Sequence, residues 1–265
     1  MDIRMLRYMA QKSGLSLNFV SKDEMMSELL LRLDGVLGED AVLKGGTALN
    51  RLHLAKLGAA RFSEDIDLDY FSAEDLGKKI SGVRSAMRKV AGFEVGKGML
   101  HHRTLRFDCR YQNALGVMDR VTVEFYLSPG PYVNATRVPV RSPFLDSGPA
   151  MFRAYCLEDL LARKLVALYN RMEGKDIYDS YFGLKMDHDG PLLGRSLKMM
   201  TEFYRIEGDF VQGLKQRLEG AKGRIGSIRD STNHYIPRDQ RPDWTQMVDS
   251  LMDDIRRKGA LGMRP

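Results

Sequence analysis

Cysteine is scarce in this chain. Only Cys109 and Cys156 occur among its 265 residues, and they do not form the Cys-x-x-Cys spacing of a redox or zinc motif. A disulfide framework and a structural zinc site are therefore not expected, and a reducing cytoplasm is the expected location. Long apolar runs are also lacking. No stretch approaches the roughly 18 residues that a membrane-spanning helix needs, so no membrane partner is expected.

The overall composition is that of an ordinary globular protein. Apolar residues make up 43% of the chain and charged residues 29%. The length permits one large domain or two smaller ones. The net charge of +6 permits a polyanionic partner such as nucleic acid without requiring one. The N-terminal segment MDIRMLRYMAQKSG lacks the apolar centre and cleavage site of a signal peptide, which again favours the cytoplasm.

Hydrophobic periodicity divides the chain into two parts. Residues 1–150 are predicted to form an α/β unit, and residues 151–265 a helical one. In the first part, a helix over MMSELLLRL is predicted to begin at a Ser21–Glu24 capping box. Four strands are predicted at AVLKGG, FSEDIDLDYF, LRFDCRYQ and RVTVEFYLS. Two segments are predicted to lack regular structure: the Pro- and Gly-rich SPGPYVNATRVPVRSPFLDSGPA and the basic AKGRIGSIRDSTNHYIPRDQRP.

Three aspartates occupy alternate positions of the strand FSEDIDLDYF. Because successive side chains of a strand point to opposite faces, Asp65, Asp67 and Asp69 share one face. Carboxylates side by side repel one another, and burying them unpaired is costly. A bound cation removes this cost, and aspartate oxygens without nearby Cys or His favour a hard ion such as Mg²⁺. A solvated acidic edge strand is the alternative, because a D-x-D pattern is common.

A glycine turn precedes the acidic strand. Gly45 and Gly46 follow a predicted strand, and Thr47 is predicted to open a helix that ends at Gly58. Glycine allows the backbone to approach a ligand closely, and the start of a helix offers free N–H groups to a phosphate. The P-loop pattern GxxxxGK followed by Ser or Thr is absent. The turn, the helix and the acidic strand together predict a phosphate-binding turn beside a metal-binding face.

A third carboxylate is available on a later strand. In RVTVEFYLS, Glu124 shares a face with Thr122 and Tyr126. It can join Asp65 and Asp67 if the two strands are neighbours. A solvated strand position is the alternative interpretation, and Asp108 in LRFDCRYQ is a weaker rival for the same role.

Lys164 stands out in the helical part. It lies four residues from both Leu160 and Leu168, along the apolar stripe of a predicted helix. A lysine in that position needs an anionic partner or must extend its side chain out to solvent. Both interpretations are open from the sequence alone.

The motifs LKGGTAL and RFSEDIDLDYF closely resemble those of the AbiEii-type nucleotidyltransferases. This family is a branch of the DNA-polymerase-β-like superfamily, and many members, including the MenT-like proteins, are toxins of type IV toxin–antitoxin systems. The resemblance covers residues 30–185. It implies an α+β fold in which a nucleotidyltransferase core, a mixed sheet with flanking helices, is followed by a helical C-terminal half that completes the nucleotide site.

The resemblance also implies roles for particular residues. The metal ligands for Mg²⁺ or Mn²⁺ would be Asp65, Asp67 and Glu124. Contacts to the NTP would come from Gly45, Gly46, Thr47, Ser63 and Lys164. The catalytic set would be Asp65, Asp67, Glu124, Lys164 and Asp176. Two departures from the common pattern are Thr47, where many members have serine, and Glu124, where aspartate is usual.

The implied reaction transfers a nucleoside monophosphate from an NTP to the 3′-hydroxyl of an RNA, with tRNA as the leading acceptor. A cognate antitoxin encoded nearby is the implied partner. The catalytic motif does not specify the acceptor, so transfer to a protein or a small molecule is an alternative. A nucleotide- or RNA-binding protein with an inactive site is a third interpretation, which the intact Asp65, Asp67 and Lys164 disfavour.

Overall fold

Residues 1–257 are described by a computed structural model, and residues 258–265, the end of the predicted helical part, lie outside the described residues. The strands are β1 Ala41–Lys44, β2 Asp65–Tyr70, β3 Glu94–Val95, β4 Met99–His101, β5 Thr104–Gln112, β6 Met118–Tyr126, β7 Ala135–Val140 and β8 Ala150–Tyr155. The helices are α1 Ile3–Ser13, α2 Leu17–Asp34, α3 Gly45–Leu52, α4 Leu76–Met87, α5 Leu157–Arg171, α6 Gly174–Lys185, α7 Gly190–Phe203, α8 Phe210–Ala221, α9 Ile225–Thr232 and α10 Trp244–Arg257.

These strands form one mixed sheet in the order β3-β5-β6-β2-β1-β8-β7, with β4 beside β5. The acidic strand β2 lies near the middle, antiparallel to β1 and parallel to β6. Its Ile66 and Leu68 are fully buried in a core that also contains Leu29 and Leu30 of α2 and Val83 of α4. The alternation predicted for β2 is therefore correct, because the apolar side chains enter the core while the aspartates lie on the opposite face.

The helices after β8 pack around a second apolar core. The leucine stripe of α5 supplies Leu161, Leu165 and Leu168 to this core, where they meet residues of α6, α7, α8 and α10. The periodicity that predicted α5 thus reflects its packing. No helix within residues 1–257 has the length and apolar composition to cross a membrane.

The prediction that residues 128–150 lack regular structure is wrong. This segment contains β7 and the first residue of β8, and β8 pairs in parallel with β1. Pro139 lies in β7, which is the last strand at its edge of the sheet, and an edge strand tolerates a proline because one side of its backbone has no strand partner. The sheet therefore continues to Tyr155, past the boundary placed at residue 150. The second segment predicted to be irregular is also mostly structured, since it contains α9 and three short 3₁₀ turns.

The predicted start of α2 is also wrong. The helix begins at Leu17, and Ser16 is its N-cap, with the hydroxyl accepting a hydrogen bond from the Phe19 N–H at 3.3 Å. Ser21 lies inside the helix, where its buried hydroxyl has no hydrogen-bond partner among the described residues. Hydrophobic periodicity predicted this helix correctly. The capping pattern selected Ser21, but Ser16 is the residue that caps the helix.

The two serines make a matched pair for a stability measurement. Ser16→Ala should lower the free energy of unfolding by about 1 kcal/mol, because it removes a helix cap. Ser21→Ala removes a buried hydroxyl without a partner, so it should cause no loss. Denaturant unfolding of both variants measures the difference, and an equal loss in both would contradict the assigned helix start.

Candidate active site

The glycine turn lies directly against the acidic strand. Helix α3 begins at Gly45, two residues before its predicted start at Thr47. Gly45 has a φ of 71°, and a Cβ added there would lie 2.1 Å from Oδ2 of Asp67. Glycine meets both constraints, because it adopts positive φ without strain and leaves room for the carboxylate. The turn and the Asp67 carboxylate are therefore held in close contact.

The rest of the turn is packed inside the protein. A Cβ on Gly46 would lie 2.8 Å from Oγ of Ser63, so Ser63 borders the turn. The buried Thr47 donates its hydroxyl to the backbone carbonyl of Asp65 at 2.5 Å, which ties α3 to β2. Gly46 is buried as well, and Gly45 is only partly buried. Contact of the buried turn residues with a phosphate stays a prediction.

The carboxylates of β2 and β6 converge on the same face of the sheet. The parallel pairing places Asp67 opposite Glu124 and Asp65 opposite Thr122, so the strands are neighbours, as the role for Glu124 requires. Asp108 lies on β5 opposite Thr122, one strand further from β2. Burial raises the pKa of Asp65 and of Glu124, and the negative charge of Asp67 raises both further. This face of the sheet is therefore short of positive charge.

The carboxylates fit a divalent cation in their chemistry but do not form a complete ligand shell. Across residues 1–257, no group of three or more His, Cys, Asp or Glu side chains is arranged to hold a metal ion. Glu124 lies 3.7 Å from the guanidinium of Arg106, which faces it from β5. The oxygen donors and their mutual repulsion suit a hard cation such as Mg²⁺. Glu124 would have to exchange Arg106 for that cation to join Asp65 and Asp67.

Asp69, the third aspartate of the strand, has a different environment. It is fully buried, with Nζ of Lys44 2.5 Å from one oxygen and the Tyr155 hydroxyl donating to the other at 2.6 Å. Its charge is therefore compensated by the protein itself. Asp69 has a structural role in this arrangement, while Asp65 and Asp67 stay available to a ligand.

A buried ionic cluster joins the helical part to the glycine turn. Nζ of Lys164 lies 2.9 Å from Asp179 and 3.1 Å from Asp176. Arg61 forms two hydrogen bonds with Asp179, at 2.9 and 2.6 Å, and its guanidinium also lies against Gly46. Arg171 forms two with Asp176, at 2.6 and 3.0 Å. We name these five side chains the ionic cluster: Arg61, Lys164, Arg171, Asp176 and Asp179.

Both aspartates of the ionic cluster are ionised. Burial by itself would raise the pKa of Asp176, but the charge of Lys164 and the hydrogen bonds from Arg171 outweigh it and hold the pKa below its usual value. The pKa of Asp179 is likewise lowered, because Arg61 and Lys164 outweigh its burial. Of the two interpretations of Lys164, the structure selects the one with an anionic partner. Direct contact between Lys164 and a triphosphate would require it to share or leave two buried carboxylates.

The sequence contained no signal for several of these contacts. Arg61 and Asp179 are 118 positions apart, and no local pattern pairs them. Burial and Asp67 raise the pKa of Asp65, and the charge of Lys175, at the start of α6, offsets part of that rise. Arg171 carries charge close enough to be influenced by Asp67. Packing of the helical part against the sheet brings these cations to the carboxylates.

A glycine turn against paired carboxylates on neighbouring strands, backed by a helical part that brings cations to them, defines a nucleotidyltransferase. The sequence matches the family described as nucleotidyl transferase AbiEii toxin, type IV TA system, over residues 28–259, and the chain belongs to this family. The match extends well past residue 185, where the motif resemblance ended. The α9 and α10 region is thus part of the family's common structure.

Two solved structures have the same fold. The MenT4 nucleotidyltransferase toxin from Mycobacterium tuberculosis H37Rv aligns with a TM-score of 0.61 and 17% identity, over 99% of this chain and 93% of that one. A protein from H. pylori assigned as a nucleotidyltransferase aligns with a TM-score of 0.58 and 18% identity, over 94% of this chain and 96% of that one. Among curated protein sequences, none matches this chain. The fold inferred from the motifs is therefore confirmed.

The close approach of Gly45 to Asp67 generates a prediction. Gly45→Ala should lower kcat for nucleotidyl transfer by about a hundredfold, because a displacement of about 1 Å at reacting groups has effects of that size. Gly58→Ala is the matched control, since Gly58 has a similar φ of 65° but no atom within 4 Å of an added Cβ. It should lose about 1 kcal/mol of stability and keep its kcat. Equal kcat values in the two variants would contradict the packing constraint.

The ionic cluster generates a second prediction. Asp179→Asn leaves Arg61 and Lys164 short of a buried charge partner and should lower the free energy of unfolding by about 3–5 kcal/mol. Asp230→Asn, which changes an exposed aspartate paired with the exposed Arg229, should stay within about 0.5 kcal/mol of wild type. Thermal or denaturant unfolding measures both.

The same cluster predicts how stability depends on pH. Because the pKa values of Asp176 and Asp179 are lowered in the folded state, their contribution is present above the ordinary aspartate pKa of 3.8 and is lost as the pH falls below it. Asp179→Asn should therefore show a shallower loss of stability between about pH 4 and pH 2 than wild type. An unchanged slope would show that Asp179 is not ionised in the folded protein.

Proposed function

We propose that this protein transfers a nucleoside monophosphate from an NTP to the 3′-hydroxyl of an RNA, with tRNA as the leading acceptor. The observation that carries the proposal is the contact of the Gly45 turn with Asp67, which pairs in register with Glu124 on the parallel strand. This arrangement supports a phosphate-binding turn beside mutually repelling carboxylates. Membership of the chain in a nucleotidyltransferase toxin family supports the same reaction.

The residues around the turn would bind and orient the NTP. Gly45 and Gly46 would present the backbone at the start of α3 to the phosphates, with Thr47 and Ser63 beside them. Lys164 would add positive charge from behind the turn, through its bonds to the ionic cluster. Holding the α-phosphate in line with the incoming hydroxyl is the main contribution of such a site, because this chemistry depends on positioning and charge.

In the transfer step, the 3′-hydroxyl oxygen of the acceptor forms a bond to the α-phosphorus of the NTP. The bond from that phosphorus to the oxygen bridging to the β-phosphate breaks, and pyrophosphate leaves with the electron pair. Glu124 would accept the hydroxyl proton, because it lies opposite Asp67 on the same face of the sheet. Asp176 is less suited to this role, because both of its oxygens are bonded to Lys164 or Arg171.

A divalent cation fits the same carboxylates. Mg²⁺, or Mn²⁺ in its place, held by Asp65, Asp67 and Glu124, would offset phosphate charge and lower the pKa of the attacking hydroxyl. The raised pKa values of Asp65 and Glu124 support this assignment, because burial and the charge of Asp67 both disfavour the ionised form of these carboxylates unless a cation is bound.

The proposed biological role is that of the toxin in a type IV toxin–antitoxin system. Modification of tRNA 3′ ends in the cytoplasm would block their use in translation, and a cognate antitoxin would oppose this activity. The net charge of +6 is compatible with an RNA substrate. The family description supports the toxin and antitoxin parts of the proposal, while the RNA acceptor rests on the motif resemblance.

The proposal predicts that the protein, Mg²⁺ and one labelled NTP will transfer label to total tRNA. Asp67→Asn should reduce the rate by about 10²–10³-fold, because it removes a charge at the reaction centre. Asp108→Asn is the matched control, since Asp108 lies on the next strand but one from Asp67, and it should keep its rate. Loss of activity in the Asp108 variant with retention in the Asp67 variant would contradict the assignment.

The same assay separates the alternative acceptors. Label that appears only in a protein or a small molecule would replace the RNA assignment while preserving the nucleotidyltransferase one. Absence of transfer with every NTP and every acceptor, together with retained NTP binding, would favour the inactive binding protein. Relief of growth inhibition by Asp65→Ala in an expressing cell would support the toxin role.

A further inference from the structure

A polar cavity of about 400 Å³ lies where the α5–α6 turn meets α9. This volume is within the range of small-molecule sites. Arg171 and Lys175 line it from the α5–α6 turn, Arg224 lines it from the start of α9, and Ser227 and Ser231 add hydroxyl groups from α9. We name it the α9 cavity. Its lining of cations and hydroxyls has the donor chemistry that binds phosphate.

The α9 cavity carries excess positive charge. Glu173 is the acidic residue in its lining, and it lies at the long distances of 3.7 Å from Arg171 and 3.9 Å from Lys175. Arg224 is exposed and has no acidic partner within ion-pair distance among residues 1–257. Arg171 is also bound by two hydrogen bonds to Asp176. The excess charge of the cavity is therefore carried by Lys175 and Arg224, and Arg224 has its fork of N–H donors free, among the described residues, for a bidentate contact.

Contacts connect the α9 cavity to both ends of the candidate active site. Tyr235, in the cavity lining, donates its hydroxyl to Glu64 at 2.5 Å, next to Asp65. Arg171 is bonded to Asp176 of the ionic cluster, and that cluster reaches the glycine turn through Arg61. The α9 cavity therefore shares wall residues with the contacts that surround the carboxylates and the glycine turn.

The nucleotide needs positive charge beyond that at the glycine turn. A triphosphate brings several negative charges, yet Lys164 already faces two buried carboxylates, and Gly46 and Thr47 are buried. By contrast, Lys175 of the α9 cavity lies 3.9 Å from its carboxylate partner Glu173, and Arg224 has no ion-pair partner among the described residues. Resting on the proposed function, we propose that the α9 cavity binds the terminal phosphates of the NTP and the pyrophosphate they become, with Arg224 as a direct phosphate ligand and Lys164 as a positioning residue.

This assignment gives the α9 region a function in phosphate binding. Arg224 lies outside the motifs that identify the family, in a stretch whose composition predicted irregular structure. Its place in the site comes from the packing of α9 on α6, where a Cβ on Gly174 would lie 2.2 Å from Oγ1 of Thr232. That close approach sets the distance between Arg224 and the cations of the α5–α6 turn.

The test measures phosphate binding separately from catalysis. Calorimetric titration of the full-length protein with tripolyphosphate gives a Kd without transfer chemistry. Arg224→Gln and Lys175→Gln should each weaken this binding by about tenfold, the usual effect of losing one charged hydrogen bond. Arg229→Gln is the matched control, because Arg229 is an exposed arginine of the same helix that is absent from the cavity lining, and it should bind as wild type does. Arg224→Lys should retain part of the affinity.

Steady-state kinetics then distinguish a site for the phosphates of the NTP from a site for the phosphates of the RNA acceptor. The proposal expects a higher KM for the NTP in the Arg224→Gln variant, with the KM for RNA nearly unchanged. Unchanged tripolyphosphate binding with a higher KM for RNA would overturn it in favour of an acceptor-strand site. Equal weakening in the Arg229 variant would also overturn it, as a nonspecific charge effect. Weakened tripolyphosphate binding in a protein that transfers nothing would instead reject the proposed function and keep the phosphate site.

Discussion

The crowding of carboxylates on one face of β2 is the constraint on which the rest of the site depends. The strand period places Asp65, Asp67 and Asp69 side by side, and the parallel neighbour β6 adds Glu124. The protein compensates one of these charges fully, through Lys44 and Tyr155 at Asp69. It leaves the others under-compensated, as the raised pKa values of Asp65 and Glu124 show. This imbalance is the basis for the proposed binding of a divalent cation and a triphosphate at this face.

The helical part is joined to the sheet part by buried charges. The ionic cluster crosses from the helices to the glycine turn, with Arg61 contributed by the sheet part and the other four members by α5 and α6. Its three cations and two aspartates have a net charge of +1. Each of the three cations is bound to at least one of the buried aspartates. Lys175 and Arg224, in the lining of the α9 cavity, are the cations without a close carboxylate partner among the described residues of that cavity. The structure thus separates cations that hold the two parts together from cations that are available to a substrate.

Sequence patterns predicted the elements whose signal is local. The alternation of β2 and β6 and the leucine stripe of α5 were read correctly, because each reflects one face of the element in a core. The strands β7 and β8 were missed, since Pro139 and the surrounding glycines and serines resemble a loop and only the partner strand β1 stabilises the extended backbone. The start of α2 was misplaced because two serines were available as caps and the choice between them depended on packing.

The sequence alone determined the glycine turn, the spacing of the aspartates and the family, because these depend on residues that are adjacent along the chain. Tertiary structure decided the partners. It placed Glu124 beside Asp67, buried Lys164 between two aspartates, joined Arg61 to Asp179, and brought Arg224 to the edge of the site. These pairs are separated by tens to more than a hundred positions, so their formation depends on strand order and helix packing. The sequence can show that a charged residue requires an oppositely charged partner, but only the fold determines which residue that partner is.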